Sequence, residues 1–182
     1  MRIQPARQTA GFTLIELIIV LTILVISIGL IIPGFGRLLD SSQQSASVNT
    51  FSTALAQARY HAVTHSQRVV LCPSLDQQHC TGGYDWQAGF ITFIDKNLNR
   101  LPDEDEDIIN ISQATSHVID IQTSKGRSRI TFRPTGDAPG SNTTFRFCPK
   151  SANLQRKVLV LSNTGRVRLS EKMPDGSEIS CI

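Results

Sequence analysis

Hydrophobicity divides the first third of the chain into three segments. Residues 1–11 are polar and carry two arginines but no acid, whereas residues 12–32 are almost entirely apolar. A helix of that length spans ~30 Å, the thickness of a bilayer core. Pro33 and Gly34 end the apolar run, and no A-x-A cleavage site follows it. We therefore expect residues 12–32 to remain in the mature protein as a single membrane-spanning helix.

The third segment, residues 33–66, is predicted to continue the helix as an amphipathic one. Apolar residues recur there at three- and four-residue intervals and form one stripe, made of Val48, Phe51, Leu55, Ala58 and Ala62. Such a stripe is typical of a helix that buries one face. We expect it to pack on the domain that follows.

From residue 67 onward the hydrophobic pattern becomes that of short strands. Segments rich in valine, isoleucine, phenylalanine and threonine are separated by turn residues, and they lie at 67–73, 88–95, 117–122, 128–134, 143–149, 156–162 and 165–170. This pattern predicts strands rather than helices. The fold class is therefore α+β, with one long N-terminal helix and a globular domain, 67–182, of seven or eight antiparallel strands.

The charge of the chain is unevenly distributed. The 182 residues carry a net charge of only +3, but eleven basic and four acidic residues follow residue 124, which makes that segment +7. The remainder of the chain is −4. Such an asymmetry indicates an anionic partner for the basic segment.

Four cysteines in a chain expected to pass the inner membrane predict two disulfides. Three pairings are possible. We favour Cys72–Cys80 as a staple of a local loop and Cys148–Cys181 as a tie between the C-terminal tail and a strand. Zinc ligation is the alternative, although the spacings are wide and irregular for a zinc site.

Glu16 places a carboxylate inside a membrane-length helix, where it costs at least ~2.5 kcal/mol unless it is partnered. It belongs to "GFTLIE", residues 11–16, which follows a short basic leader and precedes the apolar helix. This arrangement resembles the class III leader of type IV pilins and type II secretion pseudopilins. The resemblance implies cleavage by a prepilin peptidase between Gly11 and Phe12, N-methylation of Phe12, and pairing of Glu16 with the Phe12 amine of a neighbouring subunit. The simpler alternative is an acid near the helix end that reaches back to the membrane interface.

The succession of one helix and many strands, with "GFITFID" and "VLVLSNTGRVRLS" among them, resembles the FimT/GspH family of minor pilins and pseudopilins. Over the β domain the resemblance rests on those two stretches. It implies a pilin-like fold in which the second half of the helix packs against two antiparallel sheets, as in a β-sandwich.

The stretch "GRVRLS", residues 165–170, places two arginines at alternate positions of a strand. Arg166 and Arg168 are expected to face solvent ~6.5–7 Å apart, with Val167 and Leu169 toward the core and Gly165 in the preceding turn. Planar guanidinium groups suit phosphate oxygens, although a solvated strand face is the ordinary alternative.

Gly165, Arg166 and Arg168 also match the G-R-x-R motif of FimT-type minor pilins. The resemblance implies sequence-independent DNA binding through phosphate contacts. Four further basic residues are weaker candidates for the same surface: Lys172, Lys157, Arg156 and Arg127. No aromatic residues are interleaved with these basic stretches, so stacking of single-stranded bases is not expected.

The acidic stretch 95–106 matches a calcium-binding pattern in part. Asp95, Asn97, Asn99, Asp103 and Glu106 occupy positions 1, 3, 5, 9 and 12 of an EF-hand loop. Arg100 stands where that loop requires glycine, and a predicted strand rather than a helix precedes it. An acidic turn between strands is therefore the preferred interpretation, no metal is assigned, and calcium is kept as the alternative. The acids at 103–107 would repel DNA, so this loop is expected to point away from the basic surface.

These features predict a minor type IV pilin that binds extracellular double-stranded DNA for uptake in natural transformation. We expect the prepilin in the inner membrane and the assembled subunit in a periplasmic or extracellular pilus, with other pilin subunits as partners. Neither enzymatic activity nor a cofactor is expected. One alternative is a GspH-like minor pseudopilin of a type II secretion system, which binds no DNA. Another is an assembly subunit whose arginines pair with a neighbour's acids at 103–107.

Overall fold

The longest element of the chain is helix α1, Leu14–Thr64. The computed structural model describes residues 11–113, 118–124, 126–151 and 154–181, and of residues 30–35 it describes the backbone only. Thr13 caps the helix, since its Oγ1 accepts the amide N–H of Glu16 at 3.3 Å. The helix continues through Pro33 and Gly34. These two residues therefore end the apolar run without ending the helix.

The chain divides into two compact units, one that extends to Leu39 and another that comprises Asp40–Ile182. In the first unit the large apolar side chains between Phe12 and Ile28 are exposed. Among the described residues, no helix is both long enough and apolar enough to cross a membrane. The leader, 1–10, lies outside the described residues, and the membrane-spanning role of 12–32 stays a prediction.

The second unit contains eight strands in two antiparallel sheets of four. The strands are β1 (Val69–Pro73), β2 (Gly89–Ile94), β3 (Ile108–Gln113), β4 (Ile119–Gln122), β5 (Ile130–Phe132), β6 (Thr143–Pro149), β7 (Lys157–Leu161) and β8 (Val167–Ser170). Sheet A has the order β3-β2-β1-β5, and sheet B has the order β4-β6-β7-β8. The α+β, pilin-like fold with a helix on two antiparallel sheets is thus confirmed.

Strand β3 was not among the predicted strand segments. It directly follows the acidic run 103–107, and none of its residues is fully buried. It pairs only with β2 as an edge strand, across a register shift at Thr92/Phe93. Because an exposed edge strand needs no strong apolar alternation, the sequence pattern does not reveal it.

The core of the second unit lies where the helix meets both sheets. The predicted helix stripe is confirmed, because all five of its residues are at most 4% exposed. Phe51 holds the centre, with its ring centroid 4.6 Å from Phe90, 5.4 Å from Phe145 and 5.7 Å from Phe147. Burial of large aromatic side chains is the main source of stability in such a core. The unit Asp40–Ile182 therefore contains a complete hydrophobic core of its own.

Both predicted disulfides are present. Cys72 is bonded to Cys80 across eight residues, and Cys148 is bonded to Cys181 across 33 residues. The described part of the chain has no free cysteine. The zinc alternative is therefore wrong, since thiols bonded in disulfides cannot ligate a metal.

Candidate nucleic-acid interface

The two motif arginines follow a tight hairpin between β7 and β8. The turn closes with a hydrogen bond of 2.9 Å from the Gly165 amide to the Ser162 carbonyl, and the Ser162 amide donates to the Arg166 carbonyl at 3.0 Å. The Arg166 amide also donates to Ser162 Oγ at 3.2 Å. Gly165 has φ +74°, a backbone conformation that residues with a Cβ rarely adopt. Glycine at this position is thus a requirement of the turn.

Gly165 also lies against a second backbone segment and against the helix. A Cβ at this position would collide with the carbonyl oxygen of Gly136 and approach Arg59 Nε to 3.3 Å. Arg59 Nη1 donates to the Gly165 carbonyl at 3.3 Å, and the Ala138 amide donates to the Asn163 carbonyl at 2.8 Å. These contacts hold the hairpin at a defined place on the domain, and with it the arginines that follow.

Arg168 extends from one face of sheet B, and Arg166 lies immediately before the first residue of β8. The register pairs Val160 with Arg168 and Leu161 with Val167, so Arg168 lies on the face opposite to the core residue Leu161. Both arginines are exposed. Within the described residues, neither guanidinium forms a hydrogen bond or an ion pair. The two cations are consequently available to an external anion.

The prediction for the core side of this strand is only half right. Val167 packs against the core, but Leu169 is 52% exposed. Leu169 pairs with the buried Leu159 and shares its face of the sheet. Since β8 is the edge strand of sheet B, no further strand covers Leu169 on its outer side.

The four weaker candidates are placed less favourably for DNA binding. Arg127 donates to the Gly140 carbonyl and to Asn142 Oδ1, which ties two loops together. Arg156 Nη1 donates to the Ile179 carbonyl at 3.0 Å. Arg156 and Lys172 line one recess together with Glu171 and Glu178, whose carboxylates offset their charge.

Lys157, the fourth candidate, is half-buried at the start of β7. Arg127 lines a groove of about 840 Å³ together with Ser162 and Asn163 of the hairpin. Lys125, two residues before Arg127 in the sequence, lies outside the described residues. Arg166 and Arg168 are therefore the strongest pair of the set.

The acidic loop belongs to sheet A, where it connects β2 to the edge strand β3. Lys96 Nζ forms an ion pair with Asp107 Oδ2 at 3.1 Å and donates to the Asp105 carbonyl at 2.7 Å. The acids and the motif arginines are thus on different sheets. The described residues contain no cluster of three or more histidine, cysteine, aspartate or glutamate side chains suited to a metal ion.

One acid near the hairpin has a strongly shifted pKa. Asp137 directly follows Gly136, and hydrogen bonds from the Arg133 guanidinium and from the Thr135 hydroxyl lower its pKa to about 2. The same ion pair raises the pKa of Arg133. The turn that supports Gly165 is thus closed by an ion pair at neutral pH.

Sequence reasoning missed Arg59 and Gly136, which position the hairpin. Both lie far from residue 165 in the chain, and their contacts with Gly165 depend on the packing of α1 and of the turn at 133–137. The only local signal was the glycine itself, within the "TGD" turn sequence at 135–137.

Comparison with known proteins identifies the family. Residues 47–165 match the family described as type II transport protein GspH, and residues 6–32 match the prokaryotic N-terminal methylation motif. The GspH match ends at Gly165, immediately before Arg166. The chain is 30% identical over 164 residues to the pilin-like protein PilA1 of Thermus thermophilus, which covers 87% of this chain and 97% of that protein.

Two crystal structures of the type IV minor pilin FimU of Pseudomonas aeruginosa share the fold at 20% sequence identity. One superposes with a TM-score of 0.55 over 71% of this chain and 89% of FimU, and the other with a TM-score of 0.53 over 70% and 91%. At this identity the likeness concerns the fold alone. With the GspH match over more than half of its length and the methylation motif at its N-terminus, the chain belongs to the GspH family and is a type IV pilin-like protein of the minor pilin and pseudopilin kind.

Proposed function

We propose that this protein is a minor type IV pilin that binds extracellular double-stranded DNA for uptake in natural transformation. The proposal rests on the exposure of Arg166 and Arg168 and on their lack of side-chain partners in the described part of the chain. Both side chains are exposed, Arg168 lies on the outer face of β8 and Arg166 immediately precedes that strand, and neither side chain has a partner among the described residues. An external anion can therefore bind these guanidinium groups without breaking a side-chain contact of the described fold. Their planar donors match the oxygens of a phosphate backbone.

The charge distribution supports the same assignment. The segment from residue 125 onward carries +7, while the run of acids at 103–107 belongs to the other sheet. Phosphate contacts carry no sequence information, so binding is independent of DNA sequence. With two phosphates neutralised, the slope of log K against log salt is about −2.

The N-terminal segment supplies processing and assembly. The prepilin peptidase cleaves between Gly11 and Phe12, Phe12 is then N-methylated, and Glu16 pairs with the Phe12 amine of a neighbouring subunit. The methylation motif and the exposed apolar side chains between Phe12 and Ile28 support this part of the proposal. An apolar surface of this kind needs lipid or other pilin subunits to cover it. The protein thus resides in the inner membrane before assembly and in the pilus afterwards.

A second candidate function is that of a minor pseudopilin of a type II secretion system, which binds no DNA. One observation favours it, namely that the GspH match ends at residue 165 and so does not include either arginine. A variant of this candidate has the two arginines pair with the acids at 103–107 of a neighbouring subunit.

The proposal is tested by titrating Asp40–Ile182 with a fluorescent duplex of unrelated sequence at ~50 and ~200 mM salt. We expect affinity to fall about tenfold between the two conditions, as a slope near −2 requires. The double variant Arg166→Gln/Arg168→Gln is expected to lose most of its affinity at low salt and to retain its circular dichroism spectrum.

The matched control is Lys96→Gln/Lys150→Gln, which removes the same charge from two exposed cations that form ion pairs with Asp107 and Asp120, away from the hairpin and its supporting turn. It is expected to bind within about threefold of the parent. Equal losses in both double variants contradict specific contacts, and no binding of the parent at low salt favours the pseudopilin. Self-association that disappears at high salt and in Arg166→Gln/Arg168→Gln favours the subunit-pairing variant.

A further inference from the structure

The loop between β2 and β3 has a buried carboxylate at each end. In each carboxylate, one of the two oxygens receives no hydrogen bond from the described residues. The side chain of Asp95 is fully buried, and Glu106 is 9% exposed. Asp95 Oδ2 and Glu106 Oε2 have no hydrogen-bond partner among the residues that the structure describes. The nearest cation to Asp95 Oδ2 is Arg68 Nη1 at 3.8 Å, beyond hydrogen-bond length, and Glu106 forms no ion pair with any described residue.

The other oxygen of each carboxylate is bonded to the backbone of the loop itself. Asp95 Oδ1 accepts the Arg100 amide at 3.2 Å. Glu106 Oε1 accepts the Lys96 amide at 2.7 Å and the Asn97 amide at 3.4 Å. Both carboxylates are therefore held toward the loop. Buried carboxylate oxygens without donors are costly, and a bound cation relieves that cost.

Arg100 occupies position 6 of the loop, where an EF-hand has glycine, yet the backbone there adopts the conformation that glycine provides. Arg100 has φ +65° and Leu98 has φ +68°, so both residues adopt the left-handed conformation. Asn97 Oδ1 accepts the Asn99 amide at 3.0 Å, and Asn99 Oδ1 accepts the Leu101 amide at 2.6 Å. The loop thus follows the tight path that glycine normally permits, at the cost of strain at a non-glycine residue.

Asp103 orients the two amides between the carboxylates. Its Oδ2 accepts Asn97 Nδ2 at 2.6 Å and Asn99 Nδ2 at 2.7 Å. This leaves two carboxylates, not three, as direct candidates for a cation, which agrees with the lack of a larger acidic cluster in the described chain. Position 9 of an EF-hand loop likewise often acts through a water molecule.

We propose that this loop binds one Ca²⁺ ion. The ligands are carboxylate oxygens of Asp95 and Glu106, side-chain oxygens of Asn97 and Asn99, and the carbonyl of Leu101, with Asp103 in support. An irregular set of oxygen donors suits Ca²⁺ better than Mg²⁺, which requires near-ideal octahedral geometry. The ion stabilises the attachment of edge strand β3 to sheet A. The site is separate from the DNA-binding face and does not depend on it.

The test uses the full chain in a non-ionic detergent, stripped of metal and titrated with CaCl₂ by isothermal calorimetry and thermal unfolding. We expect one site with a Kd of about 10⁻⁴ M, in the range of extracellular calcium modules, and a higher Tm at ~10 mM Ca²⁺. The same concentration of Mg²⁺ is expected to raise Tm much less. No saturable Ca²⁺ binding, or an equal response to both ions, overturns the proposal.

Matched variants distinguish specific coordination of Ca²⁺ by this loop from non-specific attraction of Ca²⁺ to acidic residues. Glu106→Gln is expected to weaken Ca²⁺ binding at least tenfold, while Glu104→Gln, at an exposed neighbouring position, keeps it within about twofold. Asn97→Ala, at an exposed position, is expected to weaken binding as well and remains informative if Glu106→Gln does not fold. Equal effects of Glu104→Gln and of the two ligand variants refute the site.

Discussion

Gly165→Ala is expected to destabilise the domain well beyond the usual cost of alanine in a left-handed turn. That conformation alone costs a residue with a Cβ about 1–2 kcal/mol, and Gly165 has φ +74°. The new methyl would also collide with the Gly136 carbonyl and crowd Arg59 Nε. Overpacking of a close contact adds about 1–3 kcal/mol, so we expect a total of about 2–5 kcal/mol.

The control for this variant is Gly82→Ala. Gly82 has φ +73°, and a Cβ there meets no atom within 4 Å, so only the backbone cost applies. Urea unfolding of Asp40–Ile182 measures both variants, and a thermal scan is expected to show a decrease of roughly 3 °C in Tm for each kcal/mol. If the two variants lose the same stability, the contact among Gly165, Gly136 and Arg59 is not what holds the hairpin, and the reasoning fails.

Two further predictions concern stability. Asp137 has a depressed pKa of about 2 in the folded domain, so its contribution is complete above the unfolded pKa of ~3.9 and is lost as pH falls toward 2. The stability difference between the parent and Asp137→Asn should therefore shrink across that window in acid titrations followed by circular dichroism. Removal of the Cys148–Cys181 disulfide with a serine pair should cost about 3.7 kcal/mol, against about 2.5 kcal/mol for Cys72–Cys80, because it closes 33 residues rather than eight. Urea unfolding checks that order, and the reverse order would contradict the loop-entropy argument.

Features that depend on short-range periodicity were predicted correctly from the sequence. The apolar stripe from Val48 to Ala62 is buried as expected, because a 3.6-residue period places those side chains on one face wherever the helix packs. The alternation likewise predicted the exposure of Arg168 on the outer face of β8, and Arg166, just before the strand, is exposed as well. The number of disulfides followed from the four cysteines and the expected compartment, and of the three possible pairings the favoured one is present.

The positions of edges and long-range neighbours could not be predicted in this way. Leu169 has the same pattern as Val167, yet it is exposed because β8 lies at the edge of its sheet. Arg156 and Arg127 are as basic in sequence as Arg166, but each is already bonded to a carbonyl of a distant loop. The distribution of charge along the sequence does not reveal which cationic side chains already donate hydrogen bonds within the fold.

The sequence by itself thus determined the helix, the strand periods, the basic C-terminal segment and the family to which the chain belongs. Only the tertiary structure decided that Gly165 lies against Gly136 and Arg59, that the motif arginines have no side-chain partner within the described part of the chain, and that Arg100 adopts the backbone conformation expected of glycine. The physical reason is the distance along the chain over which each of these effects acts. Periodicity and propensity act over a few residues, whereas close approach, burial and hydrogen-bond satisfaction depend on segments that are brought together only when the chain folds.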